Sequence, residues 1–402
     1  MTGPYRGSIS VNYSLIDIEK EEVLAGGTVE KIGQDKSIFT CNVKGKAKSR
    51  ELHVSNCTAG VKLAVESLID PENGVIKDFS ELSAVAHRVV HGGEMFVDHC
   101  YVDEKVVEDI RECIPLAPLH NQYNRIGIET CRQMMPDVPQ VAIFDTCFHQ
   151  TIPDYAYIYG LPFEYYQKYG IRRYGFHGNS HKFASERAAR LLGKPLEEVK
   201  LVTCHLGNGA SAAAVKGGRS LDTSMGFTPL EGLIMPTRSG DIDAAIIPII
   251  MEKEGFYQRE IDGVLNKKSG LLGISGISGN ISDLLDAMKE GSSRAKLAIE
   301  AFCYRLKKYI CAYAGVLGGL DAVVFTGGIG ENCPEIRLLS LSGLEFIGIC
   351  LDEGKNKITG KEGEISKENS KVKIFVVPTN EELMMAREAR KVVEREMIKE
   401  AK

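Results

Sequence analysis

The sequence contains no tryptophan, so its 15 tyrosines and 14 phenylalanines must supply all large aromatic packing. It also lacks a membrane-length apolar run. The longest, Ala244–Met251, is interrupted by Pro248 and falls well short of the ~20 residues a spanning helix needs. The opening Met1-Thr2-Gly3-Pro4-Tyr5-Arg6-Gly7 has no apolar core of a secretory signal. The 11 cysteines are odd in number and none is spaced C-x-x-C, which argues against a disulfide framework and against paired zinc knuckles. Reduced thiols, packed as small hydrophobes in a cytoplasmic protein, are expected. Neither sign of charge dominates: 49 Lys and Arg face 54 Asp and Glu, a net charge of -5, with no long block of either. A nucleic-acid partner would want a basic face, and nothing suggests an anionic membrane surface as a partner.

The bulk composition is that of a globular protein: 402 residues, 44% hydrophobic and 26% charged, enough for two or three domains. Short β-branched runs at Ser83–Val90, Val138–Phe144, Val199–Cys204, Ala322–Phe325 and Val372–Val377 read as buried strands. Helical periodicity marks Thr58–Ile69, Glu104–Cys113, Asn121–Met135, Ser180–Leu192, Ser293–Leu317 and Glu381–Lys399. The alternation predicts an α/β architecture with largely parallel central strands. Ser8–Asp17, Glu22–Lys31 and Ser37–Val43 read as a meander, and Ala210–Val215 with Arg219–Thr223 as a second hairpin, which suggests a structural duplication. Pro153 and a shift to tyrosine-rich sequence suggest a domain boundary near Ile152–Ala156.

Two glycine-rich turns follow strands: His205-Leu206-Gly207-Asn208-Gly209-Ala210-Ser211 and Gly327-Gly328-Ile329-Gly330-Glu331-Asn332. Such turns bring backbone N–H groups close to phosphate oxygens, though glycine serves tight turns without any ligand. Neither is a G-x-x-x-x-G-K-[ST] loop or a G-x-G-x-x-G fingerprint. Eight of nine histidines lie between His87 and His205. Arg88 and Asp145 fall at predicted strand ends, His177 before a predicted helix, and Arg238 in a polar loop, places that suit phosphoryl transfer. Each has a plainer reading, as a surface ion pair, a turn residue or core packing. His177 and His181 are four apart, but Gly178 and the missing H-E-x-x-H glutamate argue against zinc. Thr379 and Glu382 have the spacing of a capping box. That leaves Glu381 either to hold Mg²⁺ beside a phosphate or simply to complement the helix dipole.

Taken in order, the blocks His87–Gly93, Pro115–Asn121, Asp145–Pro153, Arg172–His181, His205–Ser211, Asp222–Glu231, Thr237–Asp243, Gly327–Asn332 and Pro378–Leu383 resemble the acetate kinase family of the actin-like ATPase and sugar kinase superfamily, from about Tyr13 to Arg395. The resemblance implies two α/β domains, each a mixed sheet with flanking helices: residues 1–150 with 382–402, and a nucleotide-binding domain of 151–381. It implies Mg²⁺-dependent (or Mn²⁺-dependent), reversible transfer of the γ-phosphoryl of ATP to acetate, giving acetyl phosphate and ADP, in a cytoplasmic homodimer. Propionate or another short acid is the alternative acceptor. By resemblance, Arg88 holds the carboxylate, Arg238 and His177 stabilise the moving phosphoryl group, and Asp145 is the catalytic or aligning carboxylate. Val90, Leu119, Phe176 and Pro229 form the acyl pocket. His205, Leu206, Gly207, Asn208 and Gly209, then Asn280, Ile281 and Ser282, then Gly328, Ile329, Gly330, Glu331 and Asn332 line the nucleotide, and Glu381 the metal.

The chain departs from the family pattern in four places. The opening N-x-G-S-S-S-x-K appears as Tyr5-Arg6-Gly7-Ser8-Ile9-Ser10-Val11-Asn12, without the metal-associated Asn, the phosphate Lys or a recognisable first strand. D-[MF]-R appears as Asn280-Ile281-Ser282. Pro236 replaces a Gly, and Ala244 a Pro. These losses leave open a weakened paralogue that binds acyl phosphate or nucleotide, or a kinase with another phosphoryl donor.

Overall fold

The structure is a computed structural model that describes residues 9–43, 45–118 and 120–400; Tyr5 and Leu119, both singled out by the sequence, lie outside the described residues. The chain divides into two compact units, Met1–Cys147 with Glu381–Lys402, and Phe148–Asn380. Glu381 falls in the first of these units.

In the first unit, β1 (Ile9–Asp17), β2 (Glu22–Ile32), β3 (Ser37–Val43) and β4 (Lys46–Leu52) form an antiparallel sheet in chain order. The first three are the predicted meander. β4 reads Lys-Ala-Lys-Ser-Arg-Glu-Leu and is almost wholly exposed. It is an edge strand guarded by charge, and without an apolar face it gives no hydrophobic signal. Val29, Ile32 and Phe39 pack with Val54 and with Ala64 of the helix Cys57–Glu66. That helix starts where the Asn56 side chain accepts the Ala59 N–H at 2.9 Å.

The rest of the unit forms a second sheet, β5 (Val85–Val89), β7 (Gln140–Phe144) and β6 (Cys100–Tyr101) in that order, with β5 parallel and β6 antiparallel to β7. The first unit thus holds two sheets among the described residues rather than one mixed sheet. The meander already closes its own core against the helix Cys57–Glu66. Every residue of β7 is buried. Val141 and Ile143 meet Ala389 and Val392 of the C-terminal helix Glu381–Glu400. Ala142 and Phe144 face Val107, Ile110 and Ile128 from the helices Glu104–Glu112 and Asn121–Met134. Burial on both faces is what makes β7 a continuous apolar run.

The second unit is built on six strands ordered β10-β9-β8-β11-β13-β12. They are β8 (Lys200–Leu206), β9 (Ala210–Lys216), β10 (Arg219–Thr223), β11 (Ala322–Thr326), β12 (Gly363–Glu364) and β13 (Lys373–Val376). β8, β11 and β13 run parallel, and β9, β10 and β12 pair antiparallel to their neighbours. On the helix Gly178–Leu192, Ala184, Ala188 and Ala189 bring the backbone close to Leu201, Ala213, Val324 and Phe375. Thr326 lies beside His205 in the β8–β11 register, so both glycine-rich turns leave the carboxyl ends of adjacent parallel strands.

Candidate active site

The first unit places Arg88 and Asp145 together. Arg88 sits near the end of β5, opposite Ile143, and Asp145 follows β7, with its N–H on the Val89 carbonyl at 3.0 Å. Arg88 Nε donates to Asp145 Oδ1 at 3.0 Å and Nη2 to Oδ2 at 2.7 Å, a two-pronged pairing. Asp145 is buried at 1% exposure, while the Arg88 side chain stays 47% exposed, so the guanidinium also meets solvent. The Asp145 carboxylate raises the Arg88 pKa further. Val90 follows on β5, its N–H bonded to Asn124 Oδ1 at 3.2 Å. Glu381, at the start of the C-terminal helix, feels the same pair. Burial, Asp145 and Glu382 push its carboxyl pKa up, against the pull of Arg88.

In the second unit His177 adopts a left-handed backbone, φ 58°, immediately before the helix Gly178–Leu192. Only two other non-glycine residues among those described, Glu21 and Lys31, share that sign. Such strain costs of order 1–3 kcal/mol and clusters at functional sites. The His177 ring stacks on His205 with centroids 4.2 Å apart. Its Nδ1 lies 2.8 Å from Ser211 Oγ. A Cβ on Gly209 would come within 2.8 Å of His177 Nε2 and 3.6 Å of Arg238 Nη1, so glycine there lets the turn, the imidazole and the guanidinium converge. Arg238 donates from Nη1 to the Pro229 carbonyl at 3.1 Å. It has no carboxylate partner among the described residues, and burial alone lowers its pKa. A part-buried cation without a counter-ion is a ready site for an anion.

The remaining nucleotide-loop residues have structural partners on view. His205 Nδ1 lies 2.7 Å from Ser180 Oγ, Leu206 is buried at the end of β8, and the Gly207 N–H closes the turn on the Gly209 carbonyl at 3.0 Å around Asn208. The turn after β11 is the short helix Gly327–Asn332, containing Gly328, Ile329 and Gly330. Asn332 Nδ2 donates to the Gly328 carbonyl at 2.9 Å. Glu331 Oε1 accepts the Thr379 N–H at 2.8 Å, and the Thr379 hydroxyl lies 3.2 Å from Ser180 Oγ. The expected capping box is therefore absent: the C-terminal helix begins at Glu381, one residue too late for Thr379 to cap it. Asn280 caps the helix Ile281–Lys289 by accepting the Ser282 N–H at 3.0 Å, and Ile281 is buried beneath it. Phe176 is buried, its carbonyl facing His149 Nε2 at 3.0 Å, whereas Pro229 is part-exposed.

Sequence reasoning missed the frame of the loop that carries Pro229 and Arg238. Arg173 Nη1 donates to the carbonyls of Thr223, Ser224 and Met225, and its Nη2 to Glu231 Oε1 at 2.6 Å. Asp241 accepts the Gly232 N–H at 2.7 Å and the Tyr309 hydroxyl at 2.8 Å. Arg173 lies inside a recognised block, yet only the fold reveals three carbonyls converging on one guanidinium. Thr203 was missed as well, because a small hydroxyl in a buried strand carries no periodic signal.

The model of the Acetokinase family matches residues 5–387. The chain belongs to that family. An acetate kinase of Caldanaerobacter subterraneus subsp. tengcongensis is 55% identical over 389 residues, covering 96% of this chain and 97% of the relative. The crystal structure of Porphyromonas gingivalis acetate kinase superposes with a TM-score of 0.92 at 44% identity, over 96% of this chain and 97% of that one. A propionate kinase from Francisella tularensis gives 0.89 at 40% identity, over 95% and 97%. The fold of this acetokinase-family chain is accordingly that of the actin-like ATPases and sugar kinases.

Proposed function

We propose that this acetokinase-family protein is an acetate kinase, moving a phosphoryl group reversibly between ATP and acetate. The observations that carry the reading are two cationic sites, one within each unit. Arg88 is fixed by buried Asp145 and still exposed, and Arg238, beside His177, lacks a counter-ion among the described residues. A carboxylate is already a nucleophile, so the chemistry needs no strong base. The difficulty is bringing anions together, which fixed cations answer.

In this reading Arg88 binds and orients the acetate carboxylate, and Asp145 holds the guanidinium in place. An acetate oxygen forms the new bond to the γ-phosphorus as the bond to the ADP bridging oxygen breaks. Arg238 and His177 meet the charge on the equatorial oxygens, and the Gly207–Gly209 and Gly328–Asn332 turns approach the nucleotide. Val90, two residues after Arg88, limits the acyl chain. Asp145 and Glu381 offer hard carboxylate oxygens whose mutual repulsion a cation relieves, a donor set suited to Mg²⁺ or Mn²⁺, which keep several waters. Bound there, the ion would neutralise phosphoryl charge. Among the described residues no cluster of three or more His, Cys, Asp or Glu is placed to hold a metal alone; substrate oxygens and waters would have to supply the other ligands.

Homodimer formation fits the exposed apolar side chains Tyr155, Leu161, Phe163 and Tyr169 on the second unit. A cytoplasmic location fits the free cysteines. No described helix is long and apolar enough to cross a membrane. A second reading, a kinase weakened towards ATP, rests on Asn12 and Ser282 standing where the family carries a Lys and an Arg. A coupled assay decides: acetate with ATP and Mg²⁺ against propionate, butyrate, GTP and pyrophosphate. Acetate and ATP should give the highest kcat/KM, and acyl phosphate formation from pyrophosphate alone would overturn the reading.

A further inference from the structure

His177 belongs to a line of four side chains within the second unit. Its Nδ1 lies 2.8 Å from Ser211 Oγ, Ser211 Oγ lies 2.7 Å from His181 Nε2, and His181 Nδ1 lies 2.8 Å from Thr203 Oγ1. Ser211, His181 and Thr203 are all fully buried. Each hydroxyl has one proton and each neutral imidazole one N–H, so the line has a direction, and its far end sets it.

Thr203 Oγ1 bonds only to His181 Nδ1 among the described residues. If His181 donated from Nδ1, the Thr203 hydroxyl proton would be buried with no acceptor, at a cost of roughly 1–3 kcal/mol. Thr203 therefore donates to Nδ1, and the His181 proton sits on Nε2, aimed at Ser211. Ser211 accepts it and passes its own proton to His177 Nδ1, which leaves the His177 proton on Nε2. Fully buried with no carboxylate partner among the described residues, His181 is favoured in its neutral form. Burial, with the His149 and His205 rings nearby, drives its pKa well below the usual value. The neighbouring rings at 5.6 Å (His149) and 6.5 Å (His177 and His205) are the titratable groups facing it. His149 is held in the same tautomer by a carbonyl, since its Nε2 faces the Phe176 oxygen at 3.0 Å.

We propose that Thr203, His181 and Ser211 are positioning residues that fix His177 in the Nε2–H tautomer, so that it donates a hydrogen bond to a phosphoryl oxygen without having to be protonated. The opposite direction would turn a lone pair of His177 Nε2 towards an anion. The consequence for the reaction rests on the reading that His177 serves the phosphoryl group; the tautomer itself does not.

The test is ¹⁵N NMR of the full-length protein labelled at histidine, with His177 assigned by its loss in His177→Gln. The parent should show a protonated Nε2 and an unprotonated Nδ1 at neutral pH. Thr203→Val, nearly isosteric but without the hydroxyl, should move His177 Nδ1 towards the protonated value, and Thr203→Ser should restore it. A parent with the proton on Nδ1, or a Thr203→Val spectrum identical at His177, overturns the proposal. Kinetics then separate the two claims. Ser211→Ala should lower kcat about tenfold, the scale of one displaced hydrogen bond, with the acetate KM unchanged. An Nε2–H parent whose kcat is unaffected in Ser211→Ala would uphold the tautomer and overturn the phosphoryl role of His177.

Discussion

Arg88 and Asp145 stand 57 positions apart in sequence, yet Nη2 of one lies 2.7 Å from Oδ2 of the other because β5 and β7 run parallel side by side. Arg88→Ala should therefore do two kinds of damage, removing the acetate contact and leaving a buried carboxylate without its partner. Steady-state kinetics should show a higher acetate KM and a lower kcat, together about 30- to 1000-fold in kcat/KM, or ~2–4 kcal/mol. Arg88→Lys should recover only part of this, since an ammonium cannot make the two-pronged contact. An unchanged kcat/KM for acetate rejects the assignment.

Arg238→Gln should fall on kcat. Loss of a cation aimed at developing phosphoryl charge costs about 10²–10³-fold, while the acetate KM should move less than twofold, measured at saturating ATP and Mg²⁺.

Glu381 gives a prediction with a definite sign. Its carboxyl pKa is raised in the folded protein, so folding favours the protonated form. The stability this provides is present at acid pH and lost as pH rises through the raised pKa. Glu381→Gln should therefore raise the melting temperature of the metal-free protein at neutral pH, by about 2–4 °C for each ~1 kcal/mol relieved. It should also abolish the further rise that Mg²⁺ gives the parent. A variant that keeps the full Mg²⁺ response removes Glu381 from the metal.

Acyl size should be graded. Val90→Ala should shift kcat/KM towards propionate by about 1–3 kcal/mol at most, because one methylene is worth no more. A parent that uses butyrate as well as acetate would contradict the pocket.

Tyr5→Asn with Asn12→Lys should raise kcat/KM for ATP by roughly ten- to a hundredfold and leave the acetate KM nearly alone, the scale of one or two charged contacts. Asn12 lies exposed on β1, opposite Thr28, where a lysine costs nothing in packing. A fully active parent that gains nothing would show that another residue fills the role, with Arg6→Ala the next variant to assay.

The sequence displayed what hydrophobic burial writes into it. β7, β8 and β11 are apolar runs because both faces are covered, and Arg88 and Asp145 stood out as charges at predicted strand ends. Elements without an apolar stripe were invisible. The charged edge strand β4 is one. Contacts that reverse a residue's usual preference were hidden too. Arg337 is wholly buried, bonded to Asn356 Oδ1 and to the carbonyls of Gly330, Glu331, Asn356 and Ile358, although arginine is ordinarily a surface residue. Family position assigns Asn280 to the nucleotide and says nothing of the helix it also caps.

The helix Glu381–Glu400 closes the first unit by covering Val141 and Ile143, although residues 148–380 separate it from the rest of that unit. During synthesis the ribosome releases the contiguous residues 148–380 before that cover exists. The unit that is begun first is thus completed only after the other has been made, and a nascent chain carries β7 bare on one face until that twenty-residue helix emerges.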